Sequence, residues 1–145
     1  MAQGKVVADA SVIAKWFLHE PYSENATRLR DEHARGSLKI IVPALLLYEA
    51  LNALKDSGRY SSFELQEVSR SLSLYGLAVK GPTLRLLQFS ARIGVERAVS
   101  IYDASYIALA EQERAILYTA DEELLQKFPR RAKHIKDFRP KTRER

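Results

Sequence analysis

The sequence contains no cysteine, which excludes a disulfide framework and thiolate metal sites. Its three histidines, His19, His33 and His134, are scattered, and this spacing is typical of surface or packing residues rather than of paired metal ligands. Glycine-rich phosphate loops are missing, so nucleotide binding of that kind has no support. The first apolar run is interrupted by Asp9 and Lys15, and no stretch reaches the ~20 apolar residues of a membrane span. We therefore expect a cytoplasmic protein that does not engage a membrane.

The composition is typical of a globular domain: of the 145 residues, 46% are apolar and 28% are charged. We expect one domain over residues 1–138, followed by a basic, flexible tail at 139–145. Lysine and arginine exceed aspartate and glutamate by 23 to 18, a balance that favours a polyanionic partner. A solvated or disordered basic end explains the excess more simply than a dedicated nucleic-acid patch, since many of the basic residues lie late in the chain: Arg130, Arg131, Lys133, Lys136, Arg139, Lys141, Arg143 and Arg145.

Short apolar runs alternate with helical patterns along the whole chain. The runs predict strands at residues 6–8, 39–42, 77–79 and 115–118, with a more polar fifth strand near 133–135. Between them the pattern predicts helices over 11–18, 22–35, 43–57, 61–75 and 121–128, a helix that begins at Pro82 and lasts until Gly94, and a helix that Ser100 opens. Such alternation predicts an α/β domain whose parallel sheet of four or five strands is covered by helices on both faces.

Four acids lie where this arrangement would bring them together. Asp9 follows the first strand, Asp121 follows the fourth, and Asp103 lies at the start of a helix. Each of these alone is explained as a helix cap, but ligands of open α/β sheets bind outside the carboxyl ends of the strands. Glu49 lies in a helix that apolar residues surround almost completely, and a buried acid needs a partner, a metal or a proton.

Gathered carboxylates repel one another and raise each other's pKa unless a cation neutralises them. Oxygen ligands without cysteine or a histidine pair favour Mg²⁺ or Mn²⁺, ions that activate water and stabilise the leaving oxygen in phosphodiester hydrolysis. Ser11 is expected to be a hydrogen-bond partner rather than a nucleophile, because no histidine is suitably placed. Tyr106, one turn beyond Asp103, is expected to pack in the core, and a place beside the site is the alternative.

Four motifs appear in order along the chain: Asp9-Ala-Ser11, Glu49-Ala-Leu-Asn52, Tyr102-Asp103 with the helix that follows, and Thr119-Ala-Asp121. With these motifs the sequence resembles the PIN-domain family over nearly its whole length. The resemblance is strongest to the VapC-type ribonuclease toxins of toxin–antitoxin pairs.

The resemblance implies a three-layer α/β/α sandwich with a mostly parallel central sheet and a metal-dependent endoribonuclease activity. It implies that Asp9, Glu49, Asp103 and Asp121 are catalytic and bind Mg²⁺ or Mn²⁺. Ser11, Asn52 and Thr119 would hold the carboxylates or the water ligands of the metal. RNA would be the substrate, and the expected partners are a small VapB-type antitoxin and a second copy of the chain in a homodimer.

Two other functions stay open at this point. One is a PIN nuclease that matures RNA or controls its quality, which the sequence separates poorly from a toxin. The other is a catalytically weak module, in which the acidic pocket mainly binds a basic segment of an antitoxin partner by charge-assisted hydrogen bonds.

Overall fold

A five-stranded parallel sheet forms the centre of the computed structural model, which describes residues 4–140. Every neighbouring pair of strands is parallel, and the spatial order is β3-β2-β1-β4-β5. The predicted α/β class is confirmed, as is the polar fifth strand, which lies one residue earlier than expected. The strands are β1 (Gly4–Ala8), β2 (Leu38–Pro43), β3 (Ala78–Lys80), β4 (Ile116–Thr119) and β5 (Ala132–His134).

Helices cover both faces of the sheet. The chain runs from β1 to β2 and β3 on one side, and then crosses back to β4 and β5 on the other side of β1. Because crossovers between parallel strands are right-handed, this change of direction places the connections before β3 and those after β3 on opposite faces of the sheet. Accordingly α2 and α3 pack on β2, whereas α6 lies across β1, β2 and β4. The predicted three-layer sandwich is therefore confirmed. The helices are α1 (Ala10–Ile13), α2 (Ser23–Ala34), α3 (Leu45–Asp56), α4 (Ser62–Leu74), α5 (Leu84–Arg97), α6 (Ile101–Glu113) and α7 (Glu122–Lys127), with 3₁₀ segments at Ala14–Trp16 and Ile135–Asp137.

The first helix is shorter than the sequence predicts. The helix expected over residues 11–18 is α1 followed directly by a 3₁₀ segment, and the indole of Trp16 there donates to the carbonyl of Ala26 at 2.8 Å. Pro43 ends β2 instead of opening α3, because the N–H of Ala44 donates to the Lys80 carbonyl and continues the ladder to β3. Contacts between distant segments thus override both local signals.

Gly94 lies inside α5 and does not end it, contrary to the sequence prediction. A Cβ atom at Gly94 would lie 2.7 Å from Ile101 Cδ1, so the missing side chain lets α5 and α6 approach closely. The helix ends instead at Ala98, whose left-handed backbone (φ 55°) forms its C-cap. Gly94 is therefore a packing residue.

The carboxyl ends of β1 and β4 lie side by side where the strand order reverses, which is where α/β sheets bind ligands. Across residues 4–140, no helix is both long and apolar enough to cross a bilayer. The single domain over 1–138 stays a prediction. Of the tail expected at 139–145, Arg139 donates to the carbonyls of Lys136 and Phe138, whereas 141–145 lie outside the described residues.

Candidate active site

Asp9 lies at the carboxyl end of β1, where it also caps α1, and only 6% of it is exposed. Its Oδ1 accepts hydrogen bonds from Ser11 Oγ at 2.6 Å and from the N–H of Val12 at 3.3 Å, and its Oδ2 accepts from Thr119 Oγ1 at 2.5 Å. Burial raises the pKa of this carboxyl from 3.8 to about 6, although the three hydrogen bonds oppose the rise. The hydrogen bonds thus stabilise the ionised form of Asp9, but by less than burial destabilises it.

Ser11 and Thr119 join the loops that follow β1 and β4. The N–H of Ala120 donates to Ser11 Oγ at 2.9 Å, and the N–H of Asp121 donates to Thr119 Oγ1 at 3.0 Å. Both hydroxyls also donate to the Asp9 carboxylate, so they fix its orientation from two sides. Their influence on a bound metal stays a prediction.

Glu49 meets Tyr106 between α3 and α6. The Tyr106 hydroxyl, in a side chain only 1% exposed, donates to Glu49 Oε1 at 2.5 Å. Tyr106 therefore packs in the core, as expected, and also reaches a site acid. The hydroxyl at the end of a buried aromatic one turn beyond Asp103 was the signal for this second role.

The predicted all-round burial of α3 is wrong. Glu49 is half-buried, and α3 also exposes Tyr48, Asn52 and Lys55. Asn52, predicted to support the acids, is exposed, and its amide donates to Asp56 at 3.4 Å on the same helix. Within residues 4–140, it makes no hydrogen bond to the four acids.

Asp103 and Asp121 lie at the starts of α6 and α7. Ser100 Oγ accepts from the N–H of Asp103 at 3.0 Å and so caps α6, and a hydrogen bond with the Ser100 side chain also favours the ionised form of the Asp103 carboxyl. Asp121 caps α7, since its Oδ1 accepts from the N–H groups of Glu123 and Leu124. Asp121 is therefore a helix cap, which is what we expect when this residue is considered by itself.

The four predicted acids share one electrostatic environment. Burial, followed by repulsion from Asp121, Glu49 and Glu123, raises the pKa of Asp103, and Asp121 also acts on Asp9. Glu123 is an acid that the sequence interpretation overlooked; it lies two residues beyond Asp121 in the first turn of α7.

The donor set suits a hard divalent cation, although the described residues contain no group of three or more acidic or histidine side chains close enough to hold one. Asp9 and Asp103, whose pKa values are raised by burial and by the neighbouring acids, would gain stability if a cation neutralised them. The residues that would hold it are Asp9, Glu49, Asp103 and Asp121. Their oxygen atoms are ligands of the kind that a hard divalent cation takes.

Comparison with known proteins assigns the family. The PIN-domain family model matches residues 6–131, which is most of the chain. The chain belongs to the PIN-domain family. This PIN domain is 30% identical over 135 residues to Ribonuclease VapC3 of Pyrobaculum aerophilum, covering 86% of this chain and 95% of that protein. It is also 36% identical over 97 residues to Exonuclease VapC9 of the same organism, covering 67% and 73%.

The fold of this PIN domain also matches that of a toxin–antitoxin complex from Klebsiella pneumoniae, with a TM-score of 0.69 over 90% of this chain and 97% of that one. The two sequences are only 14% identical, so this match supports the fold alone.

Proposed function

We propose that this PIN domain is a Mg²⁺- or Mn²⁺-dependent endoribonuclease and the toxin of a VapBC-type toxin–antitoxin pair. The observation that carries the proposal is the buried carboxylate of Asp9, which lies at the strand-order reversal within electrostatic reach of Asp121. The family assignment and the 30% identity to a protein named a ribonuclease support it. A small VapB-type antitoxin, a homodimer and a cytoplasmic location complete the proposal.

Each residue has a defined task in this function. Asp9, Glu49, Asp103 and Asp121 would hold the divalent ion, which when bound supplies an activated water and stabilises the leaving oxygen. Ser11 and Thr119 hold the Asp9 carboxylate in one orientation through their hydroxyl donors. Tyr106 holds Glu49 toward α6 in the same way. No side chain has to act as the nucleophile.

The test is cleavage of a labelled single-stranded RNA by the wild type, Asp9→Asn and Asp103→Asn, with and without Mg²⁺ or Mn²⁺. We expect each variant to lose at least about 100-fold in rate, since losing even an outer partner of a metal ligand costs 10- to 100-fold. Asp31→Asn is the matched control, because this exposed acid of α2 pairs with Arg30 instead. Wild-type rates in both site variants would refute the proposal.

A circular RNA separates endonucleolytic from exonucleolytic cleavage, a distinction that matters because one relative is named an exonuclease. An endoribonuclease linearises the circle, whereas an exonuclease leaves it intact. Linear product from the wild type, absent with Asp9→Asn, is the expected result.

A second candidate function is binding of a basic antitoxin segment without catalysis. It is favoured by the lack, among residues 4–140, of acids already in ligating contact. An arginine entering the acidic site would be held by charge-assisted hydrogen bonds to these carboxylates. Calorimetry decides between the two: a nuclease takes up Mn²⁺ at the acidic site, while a pure binding module takes up a basic peptide and no Mn²⁺.

A further inference from the structure

Tyr22 has an unusual backbone for a large side chain. Its φ of 69° and ψ of 12° are left-handed, which costs a residue other than glycine roughly 1 to 2 kcal/mol. Ala98 and Arg114 share this conformation, but they end helices, where it serves as a C-cap. Tyr22 instead precedes α2, where its side chain makes no capping hydrogen bond. Strain of this kind points to a function for the side chain.

The ring of Tyr22 is fixed against His134 but is still open to solvent. The ring centroids are 4.9 Å apart with an angle of 76° between the planes, and Tyr22 is 44% exposed. In an edge-to-face pair, His134 can cover at most one face of the Tyr22 ring. Since His134 is the one ring that contacts Tyr22 within residues 4–140, the 44% exposure of Tyr22 leaves ring surface on which a flat ligand can stack.

His134 presents a hydrogen-bond donor next to this ring. Its Nδ1 accepts from the N–H of Lys136 at 2.9 Å, so the neutral ring carries its proton on Nε2. Burial, followed by the charge of Lys136, lowers the pKa of His134 and favours that neutral form. Nε2 has no partner within residues 4–140, and no buried side-chain nitrogen or oxygen there lacks one, so Nε2 reaches solvent.

The pair lies on the same edge of the sheet as the acids. His134 ends β5 in register with Thr119, whose hydroxyl donates to Asp9. β5 is two strand spacings from β1, which places His134 roughly 10 Å from the end of β1. Since α2 returns the chain to the start of β2, it begins at this edge too.

The loop that carries Tyr22 is held in place before any ligand arrives. Ser23 Oγ accepts from the N–H of Glu20 at 3.1 Å and donates to the Leu18 carbonyl at 2.7 Å. Asn25, in the first turn of α2, donates to the Lys136 carbonyl at 3.2 Å and ties α2 to the segment after His134. A subsite fixed in this way loses little conformational entropy when it binds.

Charge alone does not define the ligand. Lys15 and Lys136 act on His134, but so do Glu122 and Asp137, and Lys15 is paired with Glu20 at 3.3 Å. The open aromatic face and the free N–H donor are the specific features. Together they suit an unpaired nucleobase and its neighbouring phosphate, because bases stack on aromatic side chains in proteins that bind single strands.

We propose that Tyr22 and His134 form a subsite for one nucleotide of single-stranded RNA beside the carboxylates. The base stacks on Tyr22, and a phosphate oxygen accepts a hydrogen bond from His134 Nε2. This inference rests on the proposed function, since it names residues that position the substrate of that site.

The test measures binding without cleavage. Fluorescence anisotropy of a labelled single-stranded RNA of about 10 nucleotides, in EDTA, gives the Kd of the wild type, Tyr22→Gly and Tyr22→Phe. We expect Tyr22→Gly to raise the Kd by a factor of about 5 to 140, because stacking of one base is worth about 1 to 3 kcal/mol. Tyr22→Phe should keep the wild-type Kd, and His134→Ala should raise it.

Thermal melting excludes a structural explanation. Glycine accepts the left-handed backbone, so Tyr22→Gly should melt no lower than the wild type once the lost ring contact is offset by relief of strain. RNAs carrying one abasic nucleotide at successive positions add a second criterion. At one position, loss of the base should weaken binding by the wild type but not by Tyr22→Gly.

Unchanged RNA binding by Tyr22→Gly overturns the subsite while leaving the nuclease proposal intact, since that depends on Asp9→Asn. Weaker RNA binding by Tyr22→Phe also overturns the subsite, as does weaker binding by a Tyr22→Gly protein that melts below the wild type. A wild type that binds no RNA overturns it as well. In the last case, the cleavage assay with Asp9→Asn decides separately whether the nuclease function fails.

Discussion

The hydroxyl of Tyr106 donates a hydrogen bond to Glu49 at 2.5 Å and joins α6 to α3. Burial, followed by the hydrogen bond to Glu49 and its negative charge, raises the pKa of Tyr106, so the hydroxyl keeps its proton and stays a donor. The bond therefore links the two helices that supply Glu49 and Asp103.

Tyr106→Phe should weaken both the fold and the site. We expect the free energy of unfolding to fall by about 1 to 2 kcal/mol, because a hydrogen bond to a carboxylate is lost, and RNA cleavage to fall with the freed Glu49. Urea unfolding and initial cleavage rates measure the two effects. Tyr102→Phe is the control, since this exposed hydroxyl has no hydrogen-bond partner within residues 4–140. Full activity of Tyr106→Phe would show that Glu49 needs no such support.

Asp9→Asn should stabilise the metal-free protein at neutral pH. The folded pKa of about 6 lies above 3.8, so the stability that belongs to protonated Asp9 is complete below about pH 4 and is lost as the pH rises through 6. The difference of about two pKa units corresponds to roughly 2 to 3 kcal/mol at full burial.

Melting of both proteins in EDTA from about pH 4 to pH 8 checks this expectation. The amide can keep the bonds from Ser11 and Val12 and donate to Thr119 Oγ1, so the fold should persist. A variant that melts lower than the wild type at pH 8 would assign Asp9 a structural role.

Mn²⁺ should raise the melting temperature of the wild type and leave that of Asp9→Asn nearly unchanged. A ligand present at 100 times its Kd adds about 2.7 kcal/mol to folding. The gain should be larger near pH 8 than near pH 5, because protons compete for a carboxyl whose pKa is about 6. Equal gains in both proteins would place the ion away from Asp9.

His33 should make the protein less stable in acid. Its Nδ1 accepts from the N–H of Ile40 at 3.1 Å and its Nε2 donates to the Tyr75 carbonyl at 2.8 Å, an arrangement that requires the neutral ring. Burial lowers its pKa below 6.5, so the stability is complete above pH 6.5 and is lost as the pH falls through the folded pKa.

Urea unfolding between about pH 4.5 and pH 7.5 measures this slope. The measurement is best made in the Asp9→Asn variant. Asp9 titrates in a pH range that overlaps that of His33 and changes the stability in the opposite direction, and the substitution removes that effect. His33→Phe should be less stable throughout, because two hydrogen bonds are lost, and its stability should depend less on pH, although His134, whose pKa is also lowered, still titrates. A slope in His33→Phe as steep as that of its Asp9→Asn background would assign the slope to another group.

The sheet and the loops after its strands could be predicted from the sequence because their signals are local. Val6, Val7 and Ala8 leading to Asp9 already describe a buried strand that ends at an acid. The family assignment confirms the resemblance, whereas the catalytic roles of the individual acids stay predictions.

What local patterns could not predict depends on distant segments. Asn52 follows Glu49 by less than one turn, but it is exposed, because this face of α3 is not covered as the apolar composition suggested. The sequence around Gly94 predicts the end of a helix, and its packing role is visible only when α6 is placed against it. The hydrogen bond from Tyr106 to Glu49 likewise forms only when α3 and α6 have both packed on the sheet.

The reversal of strand order also sets when the site can form during synthesis. Thr119 donates to Asp9 across 110 residues, and β4 covers the side of β1 that would otherwise be an unpaired edge. A ribosome that has delivered only β1, β2 and β3 has made a chain without Asp103, Asp121 or the Thr119 hydroxyl that donates to Asp9. The nascent chain thus completes its acidic site only after β4 and the residue that begins α7 have been synthesised.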